Sequence, residues 1–324
     1  MSYEKPWHSC EEMIVKLRER GLTITDDEKA LSYLSRIGYY RLSGYWYSFR
    51  QQEEVDGKQI KLDSFKEGAT FEQAVRLYVF DKKLRLLAMD ALERIEIAFR
   101  VEIAHLLGEK DKFSYLNPDF FHESFSKTLK PHTGLTEHHT WLGKQAGLIS
   151  RSKETFIKHN KKKHGLPLPI WISSEVWDFG ALSFLYGGMK EADQDVIAAK
   201  FGLTNGRVLS TWLRSLNYLR NICAHHSRLW NLNVVEIPKL PSKNEVPWIA
   251  PFVEHDRLKS RPFLLFCIIK HLMNTINPNS TWWARLTNLM HTELPDMTVL
   301  GLDLNSMGVT EDWATMFSEM KDEN

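Results

Sequence analysis

Apolar residues recur with helical spacing over most of this chain. The longest run starts at Thr70, "TFEQAVRLYVFDKKLRLLAMDALERIEIAFRVEIAHLLG", with apolar positions at 71, 74, 75, 78, 84, 87, 88, 91, 92, 95, 98, 99, 103 and 106. That spacing predicts one helix of about ten turns, with Gly108 as its C-terminal stop. Upstream, residues 9–21 and 26–37 read as two short helices, with Ser9 and Thr25 as N-caps and Gly21 as a stop. "RIGYYRLSGYWYSFR" (36–50) holds no single period. The Asp-Gly pair of "VDGKQIKL" predicts a small hairpin over 46–62.

Residues 109–170 break the pattern and read as a polar, loop-like insertion, ending at the two prolines of "LPLPIW". Helical spacing resumes in "SSEVWDFGALSFLYGGM", "KEADQDVIAAKFG" and "NGRVLSTWLRSLNYLRNICAHH". In the last of these, Val208, Leu209, Trp212, Leu213, Leu216, Leu219, Ile222 and Cys223 form a wide apolar stripe. A linker-like stretch (238–251) precedes two further helices at 259–276 and 281–292 and an acidic tail expected to fray. No repeat of fixed period is present. The chain is mostly α, and divides into an N-terminal helical and hairpin region (1–64), a helical core (65–235) and a C-terminal helical segment (236–324).

Composition narrows this reading without redirecting it. Apolar and charged fractions of 43% and 26% over 324 residues suit a soluble globular chain. The formal charge of +1 means that any surface for a polyanion must be local. The three cysteines, Cys10, Cys223 and Cys267, are too few and too widely spaced for a disulfide framework or a zinc site, which fits a reducing compartment. The charged N-terminus has no apolar core of a signal peptide, and the most apolar run, 261–276, is too short to span a bilayer. A cytoplasmic location is the expectation, with no membrane association.

Charge gathers in one place. Between Phe125 and Gly165, nine Lys or Arg face Glu137 and Glu154 alone, most densely in "KHNKKKH" (158–164). Lys158, Lys161, Lys162 and Lys163 are candidates for contact with RNA phosphates, and equally compatible with a solvated insertion.

The sharper chemistry lies in "SLNYLRNICAHHSRLWN" (215–231), where a core-facing stripe ends among Arg220, Asn221, His225, His226 and Arg228. The spacing of Arg220 and His225 decides nothing by itself: with 17 Arg and 13 His, chance gives about 0.7 such pairs, and Arg100 and His105 make a second. The residue types say more. Asn221 and His225 share a helix face, and a long Arg side chain can join them on one anion. A histidine exchanges protons near neutral pH, and an Arg fork matches phosphate oxygens. No Cys or carboxylate in the string completes a metal site. The set suits RNA cleavage by the 2′-hydroxyl without a metal or other cofactor. Because one His serves poorly as both base and acid, a two-fold dimer is expected to bring up a second set.

"LRNICAHHSRLWN" resembles the signature of the abortive-infection AbiD/AbiF family of bacterial phage-defence proteins, within the HEPN superfamily. Four other stretches resemble that family's blocks in the same order: "IGYYRLSGYWYSFR" (37–50), "LYVFDKKLR" (77–85), "LERIEIAFR" (92–100) and "LPIWISSEVWDFGALSFLY" (168–186). The resemblance covers roughly 25–235. It implies a HEPN-type helical bundle and a metal-independent endoribonuclease leaving 2′,3′-cyclic phosphate ends. The superfamily's Arg-polar-x3-His motif falls on Arg220, Asn221 and His225, with His226 and Arg228 as neighbours of lesser rank. Glu96, Arg100 and His105 form a second tier. Arg100 and His105 read either as residues of an ion-paired helix or as a second half-site, and Glu96 or Arg100 can orient Arg220. The alternative to catalysis is a HEPN-type module that binds RNA or protein without cutting. A regulatory RNA or an inhibitory partner is expected under the catalytic reading, since an unrestrained ribonuclease harms its host.

Overall fold

Ser9 opens the first helix by a reciprocal cap. Its hydroxyl accepts from the Glu12 backbone N–H while the Glu12 carboxylate accepts from the Ser9 N–H at 2.9 Å, fixing α1 (Cys10–Glu19). The computed structural model describes residues 4, 6–310, 313, 316 and 317, so the acidic tail lies outside the described residues. Helix α2 (Asp27–Ile37) is capped by Asp26 and not by Thr25, because the Asp26 carboxylate receives the Lys29 N–H at 2.9 Å. The aperiodic stretch after it folds as α3 (Tyr39–Trp46), which buries Leu42, Tyr45 and Trp46. The hairpin forms from β1 (Arg50–Val55) and β2 (Lys58–Phe65), antiparallel with Val55 opposite Lys58. Asp56 and Gly57 both take positive φ, 51° and 73°, as a type I′ turn demands.

Helix α4 (Phe71–Lys110) is the spine of the molecule, 40 residues and about 60 Å long at 1.5 Å per residue. Thr70 and Gln73 cap its start, and it packs against α3 and most of the helices that follow. Gly108 does not stop it. A Cβ there would stand 3.2 Å from Ile170 Cγ2 and 3.4 Å from the Trp171 ring, so glycine lets α8 (Ile170–Ser173) lie against the helix, which ends two residues later.

The stretch expected to be loop-like is largely helical: α5 (Glu123–Ser126), α6 (Glu137–Arg151) and α7 (Thr155–His164). The face that α6 buries is His138, Trp141, Gln145 and Ile149, half of it polar, so its period is invisible to a hydrophobic count. Residues 158–164 form the exposed end of α7, seated by Ile157 on a small cluster with Ile149 and Leu168.

Next come α9 (Phe179–Gly188), α10 (Glu191–Ala199) and α11 (Gly206–Ala224). The stretch 238–251 is no free linker: it buries Val246, Trp248 and Ile249 and leads into α12 (Ala250–Glu254) and α13 (Asp256–Lys259). Helix α14 (Pro262–Ile276), apolar on nearly every side, is a core helix, and α15 (Trp282–Thr292) lies beside α4. One hydrophobic cluster runs from Ile14 to Phe317 through most of these elements. The class is mostly α, as the periodicity predicts. Among the described residues no helix is long and apolar enough to cross a membrane.

Candidate active site at the end of helix α11

Helix α11 starts at an Asn205 cap and turns Leu209, Trp212, Leu213, Leu216, Leu219 and Cys223 into the core. Burial pushes the Cys223 thiol up to about 12, so it serves as a packed apolar group. The opposite face carries Ser210, Arg214, Asn217 and Asn221, spaced 4, 3 and 4 residues apart. His225 is the C-cap, its N–H donating to the Asn221 carbonyl at 3.0 Å. His226 N–H then bonds the Cys223 carbonyl (3.1 Å), and Ser227 N–H the Ile222 carbonyl (2.9 Å). This pair of bonds is a Schellman stop, and His226 occupies its left-handed position at φ 58°. Glycine usually stands there; a side chain costs about 1–2 kcal/mol.

The chain beyond the stop is bolted down by a buried carboxylate. Asp81, with no exposure, receives the N–H groups of Leu229 (3.1 Å) and Trp230 (2.6 Å) and the Tyr45 hydroxyl (2.7 Å). It also pairs with Arg85 one turn along α4, and Arg85 reaches the Ser227 carbonyl at 3.2 Å. Burial raises the Asp81 carboxyl, opposed by Arg85 and by these hydrogen bonds. Burial pulls the Arg85 guanidinium down, but Asp81 and Tyr45 outweigh it and hold its proton more tightly. From α3, Arg228 is received by the Gly44 carbonyl, and Arg41 donates to the His226 carbonyl at 2.8 Å. Arg228 therefore points inward as an anchor, and burial lowers its affinity for its proton.

The residues expected to act together emerge on the last turn of α11. Arg220 is partly buried, Asn221 and His225 are exposed, and Arg220 Nη1 lies 3.4 Å from Asn221 Oδ1. Glu96 faces Arg220 electrostatically from α4. Burial raises the Glu96 carboxyl, Arg100 and Arg220 pull it back, and Asp178 pushes it up again. Arg100 Nη2 lies 2.9 Å from both Glu96 Oε1 and the Trp177 carbonyl, which binds α4 to the start of α9. Glu96 and Arg100 thus join the Arg220 cluster. His105 is exposed on the same unbroken α4, and Arg100 is turned to Glu96 rather than to it. Of the α7 lysines, Lys158, Lys162 and Lys163 are exposed, whereas Lys161 turns in to the Ile149 carbonyl at 3.1 Å.

Four residues at or near this site were not singled out from sequence. Arg41 adds an exposed cation beside His226, and Asp81 supplies the bolt. Asp178 caps α9 next to Glu96, and Asn217 lies on the Asn221 face, close enough that a Cβ on Gly180 would sit 3.4 Å from its Oδ1. Their signals were thin: an Asp-Arg pair at i,i+4 in "LYVFDKKLR", and an Asp before a glycine-containing helix. The five quoted sequence blocks converge here: 37–50 through Arg41, Gly44 and Tyr45, 77–85 through Asp81 and Arg85, 92–100 through Glu96 and Arg100, and 168–186 through Trp177 and Asp178, all around the end of α11.

The site sits at the negative end of a helix dipole, so a bound phosphate must be held by side chains rather than by backbone N–H groups. Arg220 on the last turn and Arg41 beside His226 bring positive charge to this end. Among the described residues no group of three or more His, Cys, Asp or Glu is arranged to hold a metal ion. In comparisons with known proteins, the model of one family, described as "Abi-like protein", matches residues 32–231, more than half of the chain and including all five blocks. Comparison with curated proteins and with solved structures gives no match.

Proposed function

The chain belongs to the Abi-like protein family, an abortive-infection family, and from that premise we propose that it is a metal-independent endoribonuclease of the HEPN type. The observation that carries this reading is the convergence of Arg220, Asn221 and exposed His225 on one helix end, with Glu96 beside Arg220. In the proposed reaction the 2′-hydroxyl of one nucleotide attacks its own 3′-phosphate. The bond from the 2′-oxygen to phosphorus forms as the bond to the 5′-oxygen breaks. His225 takes the 2′ proton, and a second His225 from another copy of the chain gives one to the departing 5′-oxygen. Arg220 steadies the extra negative charge on the phosphorane, and Asn221 orients Arg220. The products are a 2′,3′-cyclic phosphate and a 5′-hydroxyl. Glu96 and Arg100 position Arg220, and Arg228 holds the turn.

The test is cleavage of cellular or synthetic RNA in excess chelator, by the parent chain and by His225→Ala. Cyclic phosphate ends, lost in the variant and absent with all-deoxy substrate, are expected. Cleavage of the all-deoxy substrate would sink the mechanism. Retained RNA binding without any product would favour the non-cutting module instead.

A further inference from the structure

Two mid-helix glycines in α6 have no packing reason to be glycine. A Cβ built on Gly143 or Gly147 meets nothing within 4 Å, and both have ordinary helical φ. Glycine is among the least favourable residues inside a helix, so a pair of them one turn apart on one face asks for a cause. That face looks onto a cavity of about 560 Å³ between α6 and α9, floored by Gly180 and Ala181 and walled by Phe184. Gln145, only 2% exposed, also lines the cavity, and its buried Oε1 has no hydrogen-bond partner. Lys144 and Arg151 stand exposed at its rim with no carboxylate paired to either among the described residues. Phe184, 45% exposed, is held edge-on by Phe125 at 5.5 Å.

This cavity leads toward the polar face of α11. Gly180 and Phe184 also line a second hollow of about 330 Å³ that reaches Arg214 and Asn217 on the polar face of α11. Asp178, at the first cavity's edge, is the neighbour that acts on Glu96 beside Arg220.

From these features we infer that the groove between α6, α9 and α11 holds single-stranded RNA flanking the scissile bond, with one unpaired base lodged in the α6–α9 cavity. The inference rests on the ribonuclease reading for the direction of the strand, but not for the existence of the subsite. A flat base stacks on the Phe184 ring and approaches the bare helix face that the two glycines leave open. The donor edge of the base satisfies Gln145 Oε1, and Lys144 and Arg151 receive the adjoining phosphates. A duplex cannot enter, because its bases are already stacked and paired.

The experiment measures binding of non-cleavable 2′-O-methyl oligonucleotides to the full chain, single-stranded against duplex, with Gly147→Leu, Gly143→Ala/Gly147→Ala and Gln145→Leu variants. Replacing either glycine removes a helix-weakening residue from a site with room for a Cβ, so melting temperature should rise or hold. Loss of about tenfold in single-strand affinity with Gly147→Leu, set by one lost stacked base, is expected with little affinity for duplex in any form. A smaller loss is expected with Gln145→Leu. Unchanged binding and unchanged kcat/KM in Gly147→Leu would overturn the subsite and leave the groove to a ligand other than RNA. Equal binding of duplex would overturn it too. If the parent chain binds single strands through this groove but makes no product, the ribonuclease reading fails and the subsite stands. If it cuts RNA and Gly147→Leu cuts equally well, the subsite fails alone.

Discussion

Asp81 and Arg85 are both buried, and each is the other's counter-ion. Asp81→Asn keeps the shape but removes the charge, leaving Arg85 buried without a counter-ion and weakening the acceptor for Leu229 and Trp230. Breaking such a pair costs about 3–5 kcal/mol, so a large fall in melting temperature is expected, and cleavage should fail with it. Asp81→Asn combined with Arg85→Met should recover part of that loss, since no orphan charge remains. The exposed His225 is the contrast: His225→Ala should leave melting within about 0.5 kcal/mol of the parent while abolishing cleavage. His226 separates stability from chemistry more sharply. His226→Gly relieves a left-handed side chain, so stability should rise by up to about 1 kcal/mol. Activity that survives this change assigns His226 to the helix stop; activity lost as melting rises assigns it to the reaction.

At the scale of the element, α4 and α11 were legible because each pairs a long apolar stripe with a polar remainder, and the 3.6-residue period needs nothing else. Helix α6 was not, since His138 and Gln145 fill buried positions where the pattern looks for apolar ones. The direction of the α11 exit was equally hidden, because a histidine occupies the position where glycine would announce the stop. Of the site, Arg220, Asn221 and His225 were readable as one constellation from their types and spacing. The bolt from Asp81 and the cation from Arg41 were not, since only tertiary contact brings residues 41 and 81 to 226–230. Gly108 resembles a helix stop in sequence for the same reason: its cause is Ile170, distant in sequence. Gly108→Ala should therefore lower the melting temperature, against helix propensity, because the new Cβ crowds Ile170 inside a packed core. On α7, Lys158→Gln, Lys162→Gln and Lys163→Gln together test the exposed lysines as phosphate contacts: weaker RNA binding with a flatter salt dependence is expected if they serve, and unchanged binding removes them. Lys161 is left out of that set because its ammonium is already bonded to the Ile149 carbonyl.

For the whole molecule, pH acts through two buried histidines that resist protonation. His271 on α14 joins three segments: its Nε2 meets the Phe201 carbonyl at 2.7 Å, and Trp248 Nε1 donates to its Nδ1 at 3.2 Å. A carbonyl can only accept and an indole N–H can only donate, so Nε2 carries the proton and Nδ1 does not. Protonating Nδ1 would set two donors face to face. His138 on α6 contacts the Tyr115 carbonyl through Nε2 at 2.7 Å within an aromatic cluster. Burial lowers the proton affinity of both below the ordinary value of 6.5. The sign follows from which state binds the proton. The unfolded chain takes it up near 6.5 and the folded chain resists, so stability is full above that pH and declines as pH falls below it, by up to about 1.4 kcal/mol per pH unit for each histidine. Glu96, raised by burial, acts in the opposite sense and favours the folded state on acidification, over a window that begins nearer the carboxylate range. The two effects are separated by His271→Gln, whose amide can both donate to Phe201 and accept from Trp248 while remaining uncharged. Melting temperature measured from pH 7.5 down to 5 should fall less steeply for His271→Gln than for the parent. Parallel curves would mean that His271 does not carry the acid sensitivity. Any loss of RNA cleavage over the same range must then be compared with the variant's, because a loss shared by both curves does not come from His271.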